Sequence, residues 1–351
     1  VAIADKVDKL TEQQLAERRI AEQDDTIRRL QVQLGRAHDK TEALRKALYA
    51  AAHDALVSLG PVAPVPAPKR DGRRKATAEV ALIHTTDWQG AKITPSYNTE
   101  TMRERVNLLA SKVEALTKIQ RTDHPVRRAT VLLGGDMIEG LFNYPAQLHE
   151  IDATLFGQWA NTSALLAVFV QRMLAVFERV DVVAEWGNHG RIGSKRADVP
   201  KSDNFDRMVY EHTRQLLAGE PRLKWEDCPE DVQRVEIGNY RALLIHGDEV
   251  GRNGFASPMT IVRHADRWQS GAYRVDGKPW PFRDLYIGHY HTHAEWPMAN
   301  GEGAVYQTGS TESDNRYARD LLASSAIPSQ RLHFVDPEKG RVTAQYKVWL
   351  A

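Results

Sequence analysis

A single cysteine in 351 residues, Cys228, rules out an intramolecular disulfide and a thiolate metal cluster. That usage suits a reducing compartment, and a cytoplasmic location is expected. Neither sign of charge dominates. The 47 Lys and Arg against 46 Asp and Glu leave a formal net charge of +1, so the chain as a whole gives no argument for nucleic acid or membrane. Long apolar runs are missing too. The longest, SALLAVFVQRMLAVF, is interrupted by Gln171 and Arg172, reads as a buried amphipathic helix, and leaves no membrane partner expected. The opening VAIADKVDKLTEQQ has no apolar core of a signal peptide. No internal repeat is visible. What remains, 42% hydrophobic and 26% charged residues, is the composition of a soluble globular protein.

Proline is absent from the first 58 residues, and Gly35 is the one glycine there. Ile20, Ile27, Leu34 and Leu48 fall at seven-residue steps, with Thr41 breaking the series. A second row holds Leu30, Ala37, Leu44 and Ala51. This a/d seam predicts a coiled-coil helix over 1–58 and a homo-oligomer formed through it. A lone helix lying on the rest of the chain is the other reading. GPVAPVPAPKRDGRRK follows, a proline-rich basic linker over 59–75 that favours extended polyproline II.

From residue 76 the pattern alternates. EVALIHTTD, RATVLLGGD and DVVAEWGNHG read as strands, separated by the helical ETMRERVNLLASKVEALTKIQ and NTSALLAVFVQRMLAVFERV. FDRMVYEHTRQLLAG is a further helix. QRVEIGNYRALLIHGD reads as a hairpin turning at Gly238-Asn239, and RDLYIGHYH as another strand. Strands alternating with helices and then giving way to hairpins indicate an α/β fold with mixed sheets.

Five of these strands stop in groups able to hold a metal. They are Asp87 and Gln89, Asp136, Asn188 and His189, His246, and His289 with His291. Sites in α/β sheets form beyond the carboxyl ends of strands, so residues far apart in sequence can converge there. The mixture suits two divalent ions about 3.5–4 Å apart, with one carboxylate between them and imidazoles and amides filling the other positions. An unligated histidine nearby would serve as a proton donor.

The order Asp87-Trp88-Gln89, Gly135-Asp136, Gly187-Asn188-His189, His246 and Gly288-His289-Tyr290-His291 resembles the calcineurin-like metallophosphoesterase superfamily, over about residues 79–311. It is similar to the SbcD-like nuclease branch and its phage-encoded members, and QTGS at 307–310 is similar to the element that follows the last histidines there. The resemblance implies two mixed β-sheets packed face to face with flanking helices. It makes 76–351 a catalytic domain and Asp136 the bridging ligand. Asp87, Gln89 and His291 would complete one metal site, and Asn188, His246 and His289 the other. His189 would face the substrate as general acid. Two divalent ions are expected, Mn²⁺ first, with Fe, Zn or Mg as alternatives.

Two departures stand out. Gln89 takes a position usually held by histidine, and an amide oxygen should bind more weakly and prefer oxygen-loving ions. Gly190 stands where an acidic residue often follows, and the sequence does not identify what orients His189. His293 is left over, read as supporting or solvent-facing. Trp88 and His84 read as packing residues, and Glu139 as either a supporting or a surface group.

Arg191, Lys195 and Arg196 follow the expected general acid, with Lys201 beyond them, and fit a polyanion crossing the site. Arg103, Arg105, Arg127, Arg128, Arg252, Arg263 and Arg267 are the other basic candidates. Surface charge paired with acids is the ordinary alternative. Hydrolysis of DNA phosphodiesters is therefore expected, and DNA is the expected partner. A phosphomonoesterase or a phosphodiesterase acting on small molecules such as cyclic nucleotides is the first alternative. A non-catalytic coiled-coil adaptor with a degenerate metal site is the second.

Overall fold

The computed structural model describes residues 61–69, 77–141, 147–192, 200–226, 231–250, 256–314 and 327–351, with Arg29, Gln33, Ala43 and Ala47. The chain divides into two units, Val1–Leu59 and Gly60–Ala351. In the first, the four described residues are each helical and exposed, and the coiled-coil seam lies outside the described residues.

The second unit begins on the expected spacer, which is tied down at its start. The Val62 amide donates to the Leu216 carbonyl (2.7 Å), the Val65 amide donates to Glu220 (3.2 Å), and Arg222 donates to the Val65 carbonyl (2.6 Å). Strand β1 (Glu79–Thr85) leads through α1 (Thr99–Gln120) to β2 (Val126–Leu133). Helix α2 (Leu155–Val176), β3 (Arg179–Ala184), α3 (Phe205–Leu216) and β4 (Leu223–Glu226) continue the alternation. The hairpin β5 (Gln233–Ile237) and β6 (Tyr240–Leu244) turns at Gly238-Asn239, as the sequence predicts. Next come α4 (Pro258–Arg267), the short pair β7 (Arg274–Val275) and β8 (Lys278–Pro279), and β9 (Asp284–Ile287). The chain closes with β10 (Ala294–Pro297), β11 (Ala304–Gln307), β12 (Ser329–Asp336) and β13 (Arg341–Trp349).

Two mixed sheets result, in the orders β13-β12-β1-β2-β3-β4 and β10-β11-β9-β6-β5. Strands β1 to β4 run parallel, and β6, β9 and β11 run parallel in the second sheet. The period-2 alternation of strand side chains explains how they pack. Val80, Leu82, Leu132 and Val183 from the first sheet meet Ala242, Leu244, Tyr286 and Tyr306 from the second in one buried cluster. The opposite residues, Leu243, Ile245, Leu285, Ile287 and Val305, form a second cluster with Ile261 and Ala265 of α4. Central strands buried on both faces read as continuous apolar runs, as EVALIHT and ATVLL do. Helix α2 is long and apolar enough to cross a membrane by length and composition, but 12 of its residues are buried within the fold.

A polar chain crosses between the sheets. The Tyr240 hydroxyl donates to Asp284 (2.7 Å) and lies 2.9 Å from the Tyr286 hydroxyl, which lies 2.9 Å from His333. Burial pushes the Asp284 carboxyl up to about 6. The folded state thus keeps a proton that the unfolded chain gives up near pH 4. The stability this contributes is complete below that pH and is lost as pH rises through 6, on the order of 3 kcal/mol. Asp284→Asn should flatten the melting profile between pH 4 and 7 in chelator, relative to the parent. Parallel profiles would acquit Asp284.

Candidate metal centre

The sequence-predicted ligands lie on loops that leave the carboxyl ends of β1, β2, β3, β6 and β9, and five of them occupy a backbone region that L-residues rarely enter. The φ angles are +53° at Asp87, +50° at Gln89, +52° at Asp136, +66° at His289 and +55° at His291. Left-handed backbone at a non-glycine residue costs on the order of 1 kcal/mol or more and persists where the surroundings impose it. Here the loops impose it on one another. The amides of Asp87 and Gln89 donate to the carbonyls of Gly135 (2.9 Å) and Asp136 (3.0 Å). The buried Asp206 carboxylate, in the first turn of α3, accepts from the amides of Asp136 (2.8 Å), Met137 (2.9 Å) and Gly187 (2.9 Å). It fastens the β2 and β3 loops together. Burial, with Asp136 nearby, raises its pKa to about 6. The approach is so close that a Cβ on Gly187 would sit 2.6 Å from Cγ of Asp136.

The side chains converge. His246 Nε2 lies 3.1 Å from Asp136 Oδ2, 3.1 Å from Asn188 Oδ1 and 3.2 Å from His289 Nδ1. Asp136, His246 and His289 offer ligand atoms all within 4.8 Å of one another. Asp136 Oδ2 is also 3.4 Å from Gln89 Nε2. Asp87 Oδ1 is 3.2 Å from His291 Nε2, and Asp87 Oδ2 accepts from the His289 amide (3.0 Å). All seven sequence-predicted ligands therefore belong to one cluster.

Two observations fit this cluster to divalent cations. Gln89 Oε1 is buried without a hydrogen-bond partner, which is costly unless a cation completes it. The imidazoles are also held by their outer nitrogens. His246 Nδ1 lies 2.8 Å from the Gly134 carbonyl, and His291 Nδ1 lies 2.9 Å from Glu312 Oε2. A carbonyl or carboxylate only accepts, so each Nδ1 carries the proton and each Nε2 faces inward, as metal-ligating histidines are held. Burial alone would depress the His291 pKa, but Asp87 and Glu312 outweigh it and raise it to about 10. Likewise His246 and His189 hold Asp136 below the usual carboxylate range against the opposing effect of burial.

His189 stands at the edge, with its Nε2 3.9 Å from Asp136 Oδ2 and its side chain 12% exposed. Its Nδ1 is 3.1 Å from the Glu139 carbonyl and 3.2 Å from Glu139 Oε2. Glu139 is therefore the acid that the sequence left unidentified. Three residues after Asp136, it was visible there only as an ambiguous carboxylate. Burial works against the imidazolium, but Glu139 and Asp136 prevail and raise the His189 pKa. Gly190 is barred from the acidic role, because the Asn204 side chain occupies the space where its Cβ would go.

Several other expectations meet the structure here. Trp88 is buried, its indole N–H donating to Thr85 (2.7 Å), and its ring stands edge-on to Phe169, a packing residue as expected. His84 is a core residue whose Nδ1 lies 2.7 Å from the Thr308 hydroxyl. Burial, with Arg331 and Lys347, lowers the His293 pKa to about 3, so it stays neutral. Arg191 pairs with Asp248. Lys201 pairs with Glu185 (2.9 Å) and Glu249, and Arg128 with Asp181 (2.8 Å). Lys195 and Arg196 lie outside the described residues. Lys92, Asp206 and Glu312 were not singled out by the sequence, since each stands outside any motif.

No family model and no curated protein matches the chain. Solved structures similar to it include Vps29 from Entamoeba histolytica complexed with zinc, at 13% identity and a TM-score of 0.34 over 77% of this chain and 99% of that one. The hypothetical protein PH1004 from Pyrococcus horikoshii gives 12% identity and a TM-score of 0.36 over 77% and 88%. A 5'-nucleotidase from Staphylococcus aureus gives 13% and 0.35 over 78% and 54%.

Proposed function

We propose that this chain is a calcineurin-like metallophosphoesterase that binds two divalent ions, Mn²⁺ foremost, and hydrolyses phosphodiester bonds, with DNA as substrate. The observation that carries the reading is the linkage of Asp87, Gln89, Asp136, Asn188, His246, His289 and His291 into one connected cluster about Asp136, His246 and His289, with the inner nitrogens of His246 and His291 turned into it. Asp87, Gln89, Asp136 and His291 would hold one ion, and Asp136, Asn188, His246 and His289 the other. When bound, the ions supply Lewis acidity at a phosphoryl oxygen. The protein's own contribution is made by His189. With Nδ1 fixed by Glu139, Nε2 of this partly exposed side chain can hold a proton for the departing ester oxygen.

DNA as substrate rests on the basic groups that follow His189. A second reading, hydrolysis of a small phosphoester, is favoured by the pairing of Arg191, Lys201 and Arg128 with acids, which leaves those charges spent. Turnover of an aryl phosphodiester, its monoester, and linear and circular DNA, each with Mn²⁺, separates the two. Cleavage of DNA that weakens steeply with salt supports the first, and activity confined to small esters supports the second. Failure on every substrate with ions bound would leave a non-catalytic adaptor. Self-association through 1–58 belongs to the same proposal. Sedimentation of the full chain as a monomer at high concentration would defeat it.

Gln89 tunes the centre. Gln89→His should lower the Mn²⁺ concentration needed for half-maximal activity by about tenfold, because imidazole is the stronger donor. An unchanged requirement would remove Gln89 from the ligand set.

A further inference from the structure

Between His189 and His291 runs a line of charge with almost no access to water. His189 Nδ1 is 3.2 Å from Glu139 Oε2, and Lys92 Nζ is 3.5 Å from that same oxygen. Lys92 Nζ is also 3.4 Å from Glu312 Oε1, and Glu312 Oε2 is 2.9 Å from His291 Nδ1. The side chains of Lys92, Glu139 and Glu312 are 9%, 2% and 1% exposed. We propose that Glu312 and Lys92 are positioning residues of the centre. Glu312 fixes His291 for metal, and the Lys92 ammonium ties that carboxylate to the one holding His189. The inference rests on the metal-centre reading above.

Charge explains the arrangement better than packing does. A buried ammonium needs one carboxylate, and a second brings a further desolvation cost. The second is accounted for by the histidines, since two imidazoles each need an acceptor at Nδ1 and one lysine can serve both acceptors. The backbone holds the parts in place. Glu312 follows Ser310, whose hydroxyl donates to the Asp87 carbonyl (2.6 Å) and accepts from the Glu312 amide (2.8 Å). The Lys92 amide donates to the Gln89 carbonyl (2.9 Å). Both residues are thus built onto the loop that carries Asp87 and Gln89. Without the ammonium, the two carboxylates would repel across the space it fills, and each could swing away from the histidine it holds.

Calorimetric titration of the full chain with Mn²⁺, alongside turnover of an aryl phosphodiester, tests this. Glu312→Gln keeps the shape and should weaken one of the two binding events about 10–100-fold while sparing the other. The metal-free melting temperature serves as the folding control. Lys92→Met should weaken the same event and lower turnover as well, and Lys92→Arg should recover both, because a guanidinium can bridge two carboxylates. Two unaltered binding events in Glu312→Gln, or a Lys92→Met protein that matches the parent, overturn the proposal. A parent protein that binds no Mn²⁺ overturns the metal reading itself, a distinguishable result.

Discussion

Asp136→Asn is expected to lose metal binding and turnover together while the chain stays folded. The Asp136 carboxylate is touched by residues proposed for both ions. Oδ2 lies 3.1 Å from His246 Nε2 and 3.4 Å from Gln89 Nε2, and Oδ1 accepts from the His189 amide (2.7 Å). An asparagine can still accept that amide through its oxygen, so the loop keeps its anchor. Its other atom becomes an NH₂ facing inward, with no charge for a cation. Removing a supporting partner of a metal ligand costs 10–100-fold in affinity, so the loss of a shared ligand should exceed about 100-fold. The metal-free protein should melt at a lower temperature yet stay folded, because His246 and His189 lose the carboxylate that offsets their burial, a loss only partly returned by relieving Asp206 of an anionic neighbour. Calorimetry with Mn²⁺ and thermal melting in chelator measure the two halves. Retained affinity for both ions would remove Asp136 from the centre.

His189→Ala separates chemistry from binding. His189 lies at the rim, and its ring is held by Glu139 rather than by the inner ligands. Turnover should fall by roughly 10²–10⁴-fold, the usual scale for a lost general acid, while both ions still bind. The loss should shrink for an ester whose leaving group is already a good one, because such an oxygen needs little protonation. A uniform loss across leaving groups would instead point to electrostatic stabilisation by His189, and unchanged turnover would exclude it from the reaction.

The parts of the fold visible in the sequence were those written in local periodicity. Helix α1 starts at Thr99, one residue before the predicted Glu100, and ends at the predicted Gln120, since ETMRERVNLLASKVEALTKIQ keeps one helical period from end to end. Helix α2 begins at Leu155, six residues before the predicted Asn161, and stops at Val176. Its start hides behind Gly157, a poor helix residue that the Thr154 hydroxyl caps by accepting its amide (3.2 Å). Strands β4 and β10 are four residues long and half exposed, too short for a pattern to stand out. At the centre, ligand types at strand ends were legible because each follows an apolar run. Their supports were not. Asp206, Lys92 and Glu312 reach the site from segments with no motif, and only the tertiary fold brings their buried charges beside it. The left-handed backbone at Gln89 and His291 was equally hidden, because neither residue type announces it.

The ligands come from both sheets, with Asp87, Asp136 and Asn188 following strands of the first and His246, His289 and His291 following strands of the second. A cation held by this set acts as a rivet through the sandwich. Parting the sheets would break coordination bonds as well as the apolar seam, so metal occupancy and the cohesion of the two layers form one equilibrium. At free ion a hundredfold above its dissociation constant, such a rivet would add about 2.7 kcal/mol against unfolding. On the proposed function, a cell short of the ion would hold a protein that is inactive and also easier to unfold and to degrade, so that metal supply would govern its abundance along with its chemistry.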